Sequence, residues 1–152
     1  IFGGGQEKEL RSGTEAVPAI LALGAAVNEL DTARSLKAVG EIHEYAVRRL
    51  SEIDGIVFNS PLSGSLPYIL NISALHYRSE TLLHFLESRR IYVSSGSACS
   101  KGKGSHVLTE MGLSADRTDS ALRLSFSRYT KTSDIDALCD ALRDGLKTLR
   151  RK

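Results

Sequence analysis

The spacing of apolar residues changes along the chain, and each change limits what the backbone can become. Across residues 15–29, Val17, Ile20, Leu21, Leu23, Ala26 and Val27 recur at helical spacing, with Thr14 as N-cap and Pro18 in the first turn. A second helical stretch covers residues 32–53 through Leu36, Val39, Ile42, Tyr45, Ala46 and Leu50, and Asp54-Gly55 stops it. The two stretches are compatible with one long, bent helix. The pattern then shortens to strand-like runs at residues 56–58 and 68–73, divided by a turn-rich segment at 59–65. Residues 79–86 read as a capped amphipathic helix, 91–93 as a brief strand, and 105–111 as a short helix that Gly112 ends. Residues 121–127 alternate, with Leu122, Leu124 and Phe126 on one face and Arg123, Ser125 and Ser127 on the other. A last helix, capped by Ser133, runs through Ile135, Leu138, Cys139, Leu142, Leu146 and Leu149. The order α-β-β-α-β-α-β-α predicts an α+β fold, a small sheet with helices packed on one face.

A chain of 152 residues can enclose one core without disulfides or metal clips. Its 20 Lys plus Arg and 18 Asp plus Glu nearly cancel and are interspersed, which gives no electrostatic footprint for nucleic acid or an acidic membrane. The basic run Arg150-Arg151-Lys152 reads as a solvated helix end. No apolar run approaches the roughly 18 residues needed to span a bilayer, and no signal peptide opens the chain. Cys99 follows a Gly/Ser loop, whereas Cys139 lies on a helical apolar stripe, so a disulfide framework is not expected and a reducing, cytoplasmic setting fits. The opening Ile1-Phe2-Gly3-Gly4-Gly5, with no initiator Met, reads as the interior of a longer polypeptide.

Three places can carry chemistry, each with a plainer alternative. Cys99 lies among small residues between a strand and a helix, and Lys101 and Lys103 would favour its thiolate; an exposed, unreactive loop cysteine fits the same facts. Cys139 reads as core packing. Arg11-Ser12-Gly13-Thr14 before a helix suits a phosphate, although an ordinary N-cap explains it equally well. Arg123 interrupts an apolar strand and points away from Leu122 and Leu124, as either a bidentate carboxylate clamp or half of a structural ion pair. His43, His76, His84 and His106 have no metal-ligand spacing, and no metal site is expected.

Taken together, Gly3-Gly4-Gly5-Gln6-Glu7 with Arg11-Ser12-Gly13-Thr14-Glu15, then Leu70-Asn71-Ile72-Ser73, then Ser94-Ser95-Gly96-Ser97-Ala98-Cys99 with Leu122-Arg123-Leu124-Ser125, resemble the C-terminal part of cysteine desulfurases. These belong to the class V aminotransferase family of fold-type I enzymes that use pyridoxal 5'-phosphate. The resemblance implies that residues 1–30 link from a cofactor-binding domain and start a long helix, and that residues 31–152 form the C-terminal small domain with the cysteine loop. It implies that Cys99 attacks the sulfur of a substrate L-cysteine held on the cofactor, leaving a persulfide and alanine. Arg123 would hold the substrate carboxylate, and Thr14 would give its hydroxyl to the cofactor phosphate of the neighbouring subunit in a homodimer. Gln6, Glu7 and Arg11 would shape that loop.

The family's Schiff-base lysine precedes the glycine run, so the resemblance also implies that this stretch alone is inactive. The loop after Cys99 is shorter than in the desulfurases that hand sulfur to a scaffold, which bears on reach toward a sulfur-acceptor protein, as in iron-sulfur cluster assembly. Another class V aminotransferase, a selenocysteine lyase and a stand-alone sulfur carrier are the competing readings.

Overall fold

The computed structural model describes residues 1–95 and 105–152. They belong to two compact units, Ile1–Ala33 and Arg34–Lys152.

In the first unit a tight 3-10 turn, Gln6–Glu9, precedes helix α1, Val17–Asn28. Glu7, Lys8 and Glu9 have φ of 52°, 54° and 68°, a left-handed run that is unusual for residues bearing a Cβ. Pro18 occupies the first turn of α1, where its missing N–H costs no hydrogen bond. The capping position is Ala16, with no side-chain cap, so Thr14 stands outside the helix and does not cap it as expected. None of the α1 residues is buried, and Val17, Ile20, Leu21, Leu23 and Val27 are each more than half exposed. Aliphatic residues therefore surround this helix on all sides, a pattern that ordinarily calls for cover.

Helix α2, Thr32–Ser51, starts after a break at residues 29–31, so the two helical stretches are separate elements. Through Val39, His43, Ala46 and Leu50 it buries one stripe. Gly55, at φ 85°, turns the chain and accepts a hydrogen bond from Leu75 N at 2.8 Å. There follow β1 (Ile56–Phe58), β2 (Ile69–Ala74), α3 (Ser79–Glu87), β3 (Ser94–Ser95), α4 (His106–Glu110), α5 (Ala115–Asp119), β4 (Ala121–Ser125) and α6 (Thr132–Thr148). The sheet has four strands in the order β1-β2-β4-β3, and every pairing is antiparallel.

Several local expectations shift. The third strand lies at Ser94–Ser95 and not at 91–93, because Ile91 and Val93 pack against the core while Ser94 and Ser95 take the ladder positions opposite Arg123 and Leu122. Ser133 lies inside α6; the N–H of Lys131, one residue before the helix, donates to Asp134 Oδ2 at 2.9 Å. Ser79 likewise falls inside α3, whose capping position is Arg78. Helix α5 is not expected from sequence, since its residues, Ala-Asp-Arg-Thr-Asp, carry one apolar side chain and so no apolar period. Ser105 does cap α4, and Gly112, at φ 76°, follows its end.

Leu70 and Ile72 on β2 and Leu122 and Leu124 on β4 form the apolar face of the sheet, packed with α2, α3 and α6 into one core. Asp136 on α6 accepts hydrogen bonds from Tyr45 Oη at 2.8 Å and Arg49 Nε at 3.0 Å, tying α6 to α2. At Gly145 a Cβ would lie 2.9 Å from the Phe85 ring, so α6 meets α3 at a distance that only glycine permits. The fold is α+β with α2, α3 and α6 on one face, while α5 touches the other face through Ser73.

His43 is buried among these helices, its ring edge-on to Phe126 at 6.1 Å, and its Nε2 has no hydrogen-bond partner among the described residues. Burial holds its pKa below the ordinary 6.5, outweighing the raising effect of Glu44. The unfolded chain therefore takes up the proton first as pH falls. Full stability holds above pH 6.5 and declines below it, down to the depressed native value. Replacing His43 with Leu should flatten that decline, as read by urea unfolding at about pH 7.5 and about pH 5.5.

Candidate active site

The sheet face opposite the core carries a row of polar side chains, and strand pairing alone lines them up. Asn71 on β2 is the register partner of Arg123 on β4, which is the partner of Ser94 on β3, so the three side chains share one face. Asn59, just past β1, extends the row: its N–H donates to Asn71 O at 2.8 Å and its side chain is buried against that of Asn71. All three of Asn71, Arg123 and Ser94 are half-buried.

A hydrogen-bond relay fixes this row from its β1 side. Arg117 on α5 donates through Nε to Asn59 Oδ1 at 2.9 Å and through Nη2 to Phe58 O at 2.6 Å. Asn59 Nδ2 in turn donates to Asn71 Oδ1 and to Ser73 Oγ, each at 2.7 Å. Ser73 Oγ donates to Arg117 O at 2.6 Å, which closes a loop between α5 and the sheet. The Asn71 backbone is held as well, its N–H donating to Ser60 Oγ at 2.8 Å.

Arg123 has capacity to spare. Its one described side-chain contact is Nη2 to Ser94 Oγ at 3.4 Å, and its buried Nε has no partner among the described residues. No acidic side chain pairs with it among the described residues, so the structural ion-pair alternative finds no support there. A guanidinium with unused donors on a half-buried face is chemically suited to a carboxylate.

Thr14 belongs to the first unit, exposed, and its hydroxyl makes no hydrogen bond among the described residues, whereas its carbonyl accepts from Arg11 Nη1 at 3.4 Å. Arg11 also reaches Gly13 O at 3.1 Å, Gln6 Oε1 accepts from Gly13 N at 3.2 Å, and Ser12 Oγ donates to Phe2 O at 2.9 Å. The loop thus turns its Arg and Gln inward and leaves the Thr14 hydroxyl open. Cys99 lies outside the described residues; in sequence it follows Ser95, the register partner of Leu122, by four positions. Cys139 is fully buried and its thiol pKa is pushed up, by desolvation first, which makes it a packing residue. A half-open cavity of about 370 Å³ between Ile91, Phe126 and Leu138 is a separate feature, and neither Asn71 nor Arg123 lines it.

Asn59 and Arg117 are not singled out by the sequence, and Ser73 enters only within the motif Leu70-Asn71-Ile72-Ser73. The usable signal was Asn71 and Ser73 themselves, two polar residues in an otherwise apolar strand that must find partners when half-buried or buried. Asn59 and Arg117 sit in segments without periodicity, and only folding brings them there.

Residues 4–138 match the family described as Aminotransferase class-V, and the chain belongs to that family. Within it, the curated relatives that it resembles are cysteine desulfurases: IscS of Dictyoglomus turgidum, at 30% identity over 99% of this chain and 39% of the relative, and IscS of Mannheimia succiniciproducens, at 34% over 99% and 38%. Among solved structures, a NifS-like protein from Rickettsia africae superposes with a TM-score of 0.80 at 29% identity, over 97% of this chain and 39% of its own. The chain thus spans about two-fifths of the length of the relatives it matches. No helix among the described residues is long and apolar enough to cross a membrane, and no cluster of metal-ligating side chains occurs among them.

The relay predicts a stability effect. Changing Arg117 to Leu strands Phe58 O and the buried Asn59 Oδ1, and should lower unfolding free energy by about 2 kcal/mol or more. Chemical denaturation of the variant beside the parent measures it.

Proposed function

We propose that this chain supplies the substrate-carboxylate site and the sulfur-accepting thiol of a pyridoxal-phosphate-dependent cysteine desulfurase. The observation that carries the reading is Arg123, half-buried on the polar face with donors unused among the described residues, in a chain with cysteine desulfurases among its curated relatives. Ser94 and Ser95, on the strand beside it, lead in sequence into Gly96-Ser97-Ala98-Cys99.

The family implies pyridoxal phosphate, and the residues present fit one part of it. Thr14, an exposed hydroxyl free of hydrogen bonds among the described residues on a loop held open by Arg11 and Gln6, suits a phosphate oxygen. We assign it to the cofactor phosphate, across a homodimer interface. When bound, the cofactor supplies an electron sink for the carbon left as the substrate C–S bond breaks.

The chain's own residues do the rest. Arg123 binds the carboxylate of L-cysteine and so fixes where its sulfur points. The Cys99 thiolate attacks that sulfur; an S–S bond forms as the C–S bond breaks, and a persulfide remains on Cys99 while the rest of the substrate leaves as alanine after protonation. The persulfide then passes to a sulfur-acceptor protein. Residues 31–152 act as the small domain and residues 1–30 as the link to the cofactor-binding portion, which would also cover the apolar α1 helix. The same assignment makes the stretch inactive without that portion, and a cytoplasmic setting is proposed from the unlike settings of Cys99 and Cys139, which suggest no disulfide.

The test is turnover of the complete holoenzyme. With cysteine as substrate it should release alanine and gain one sulfur atom on Cys99, visible by mass spectrometry. Cys99→Ala should lose at least about a thousandfold in sulfur transfer while cofactor absorbance is retained. Full turnover by that variant rejects the reading, and comparable activity confined to selenocysteine points to the lyase instead.

A further inference from the structure

We propose that Asn71 is a second binding residue for the substrate carboxylate, presenting its amide Nδ2–H₂ group beside Arg123; this rests on the desulfurase reading and deepens it.

The argument starts at Arg117, whose guanidinium can only donate. Its contact with the Asn59 side chain at 2.9 Å therefore requires the oxygen of that amide to face it, which turns Asn59 Nδ2 toward β2. Asn59 is 8% exposed, too buried to turn away into solvent. Because Nδ2 is a donor, the Asn71 atom it meets at 2.7 Å has to be the acceptor Oδ1. The Asn71 Nδ2 group then points away from Asn59, and the next residue across the sheet on that face is Arg123. It makes no hydrogen bond among the described residues and is not among their fully buried, unpartnered atoms, which leaves it a donor to offer.

Arg123 is drawn to the opposite side by Ser94 Oγ at 3.4 Å. Two sets of donors thus flank one position on the half-buried face: the spare N–H groups of Arg123 and the amide of Asn71. A carboxylate has two oxygens with lone pairs enough for both. An α-carboxylate gripped from two sides cannot swivel about the guanidinium, which fixes the direction of the substrate side chain. The relay through Arg117, Asn59 and Asn71 makes the orientation a property of the fold and not of an exposed rotamer.

Two variants of the complete holoenzyme test the claim by different routes. Asn71→Ala deletes the donor. Asn59→Asp keeps residue 71 but reverses it: an aspartate at 59 accepts from Arg117 and also from Asn71 Nδ2, so Asn71 must turn its oxygen toward the carboxylate. Both should raise KM for cysteine by about tenfold or more, and because the lost grip also sets the direction of the substrate side chain, kcat should fall with it. A second readout is free of turnover: L-alanine, which carries the same carboxylate, should protect the parent from thermal unfolding and protect both variants much less. Because Asn59→Asp also ends the donation to Ser73 Oγ, protection is read as the alanine-induced shift from each variant's own unliganded Tm, which separates lost binding from lost structure. Unchanged KM and unchanged protection in Asn59→Asp, in a parent that does desulfurate cysteine, overturns this inference alone. A parent that does not act on cysteine overturns the desulfurase reading and this inference with it.

Discussion

The pairing of β2 with β4 is the constraint on which the rest of the molecule depends. With Leu70 opposite Leu124, Asn71 opposite Arg123 and Ile72 opposite Leu122, a side-chain period of two sends the four aliphatic residues to one face and the polar pair to the other. A slip of β4 by one residue would exchange its faces, burying a guanidinium among α2, α3 and α6 and leaving Leu122 and Leu124 in water. The energy that fixes the register is therefore the hydrophobic burial of Leu70, Ile72, Leu122 and Leu124, each at most 2% exposed. The placement of Arg123 is a consequence of that burial.

What the core fixes, the relay through Arg117 refines. The core sets which residues share a face but says nothing about which way an amide is turned. That choice is made by one arginine on a five-residue helix, because its donors admit only acceptors and the preference is handed on through Asn59 to Asn71. Short helix α5 thus matters for its position against Ser73 and Asn59 more than for any surface it buries. Close packing has a similar economy at Gly145, where the absence of a side chain brings α6 against Phe85.

The first unit obeys a different logic. Its loop is organised by side-chain to backbone hydrogen bonds from Arg11, Ser12 and Gln6, and it is followed by a helix with aliphatic residues all around. The unit combines a left-handed turn at Glu7, Lys8 and Glu9 with an apolar helix that has no buried residues. The relatives that this chain matches over nearly its full length are more than twice as long.

The sequence by itself determined the α+β class, the two faces of residues 121–125, the packing role of Cys139 and the half-polar character of Arg123, because each follows from periodicity, which is local. Family motifs pointed to Cys99, Thr14 and a carboxylate role for Arg123, which stand as proposals, and Cys99 lies outside the described residues. Only the tertiary structure decided that Thr14 stands clear of the helix it was expected to cap, that the third strand begins at Ser94, and that Asn59, Asn71, Arg123 and Ser94 stand in one row. The physical reason is range: Arg117 and Asn59 are 58 positions apart in sequence and 2.9 Å apart in space, and no pattern of neighbours along the chain encodes a hydrogen bond of that kind.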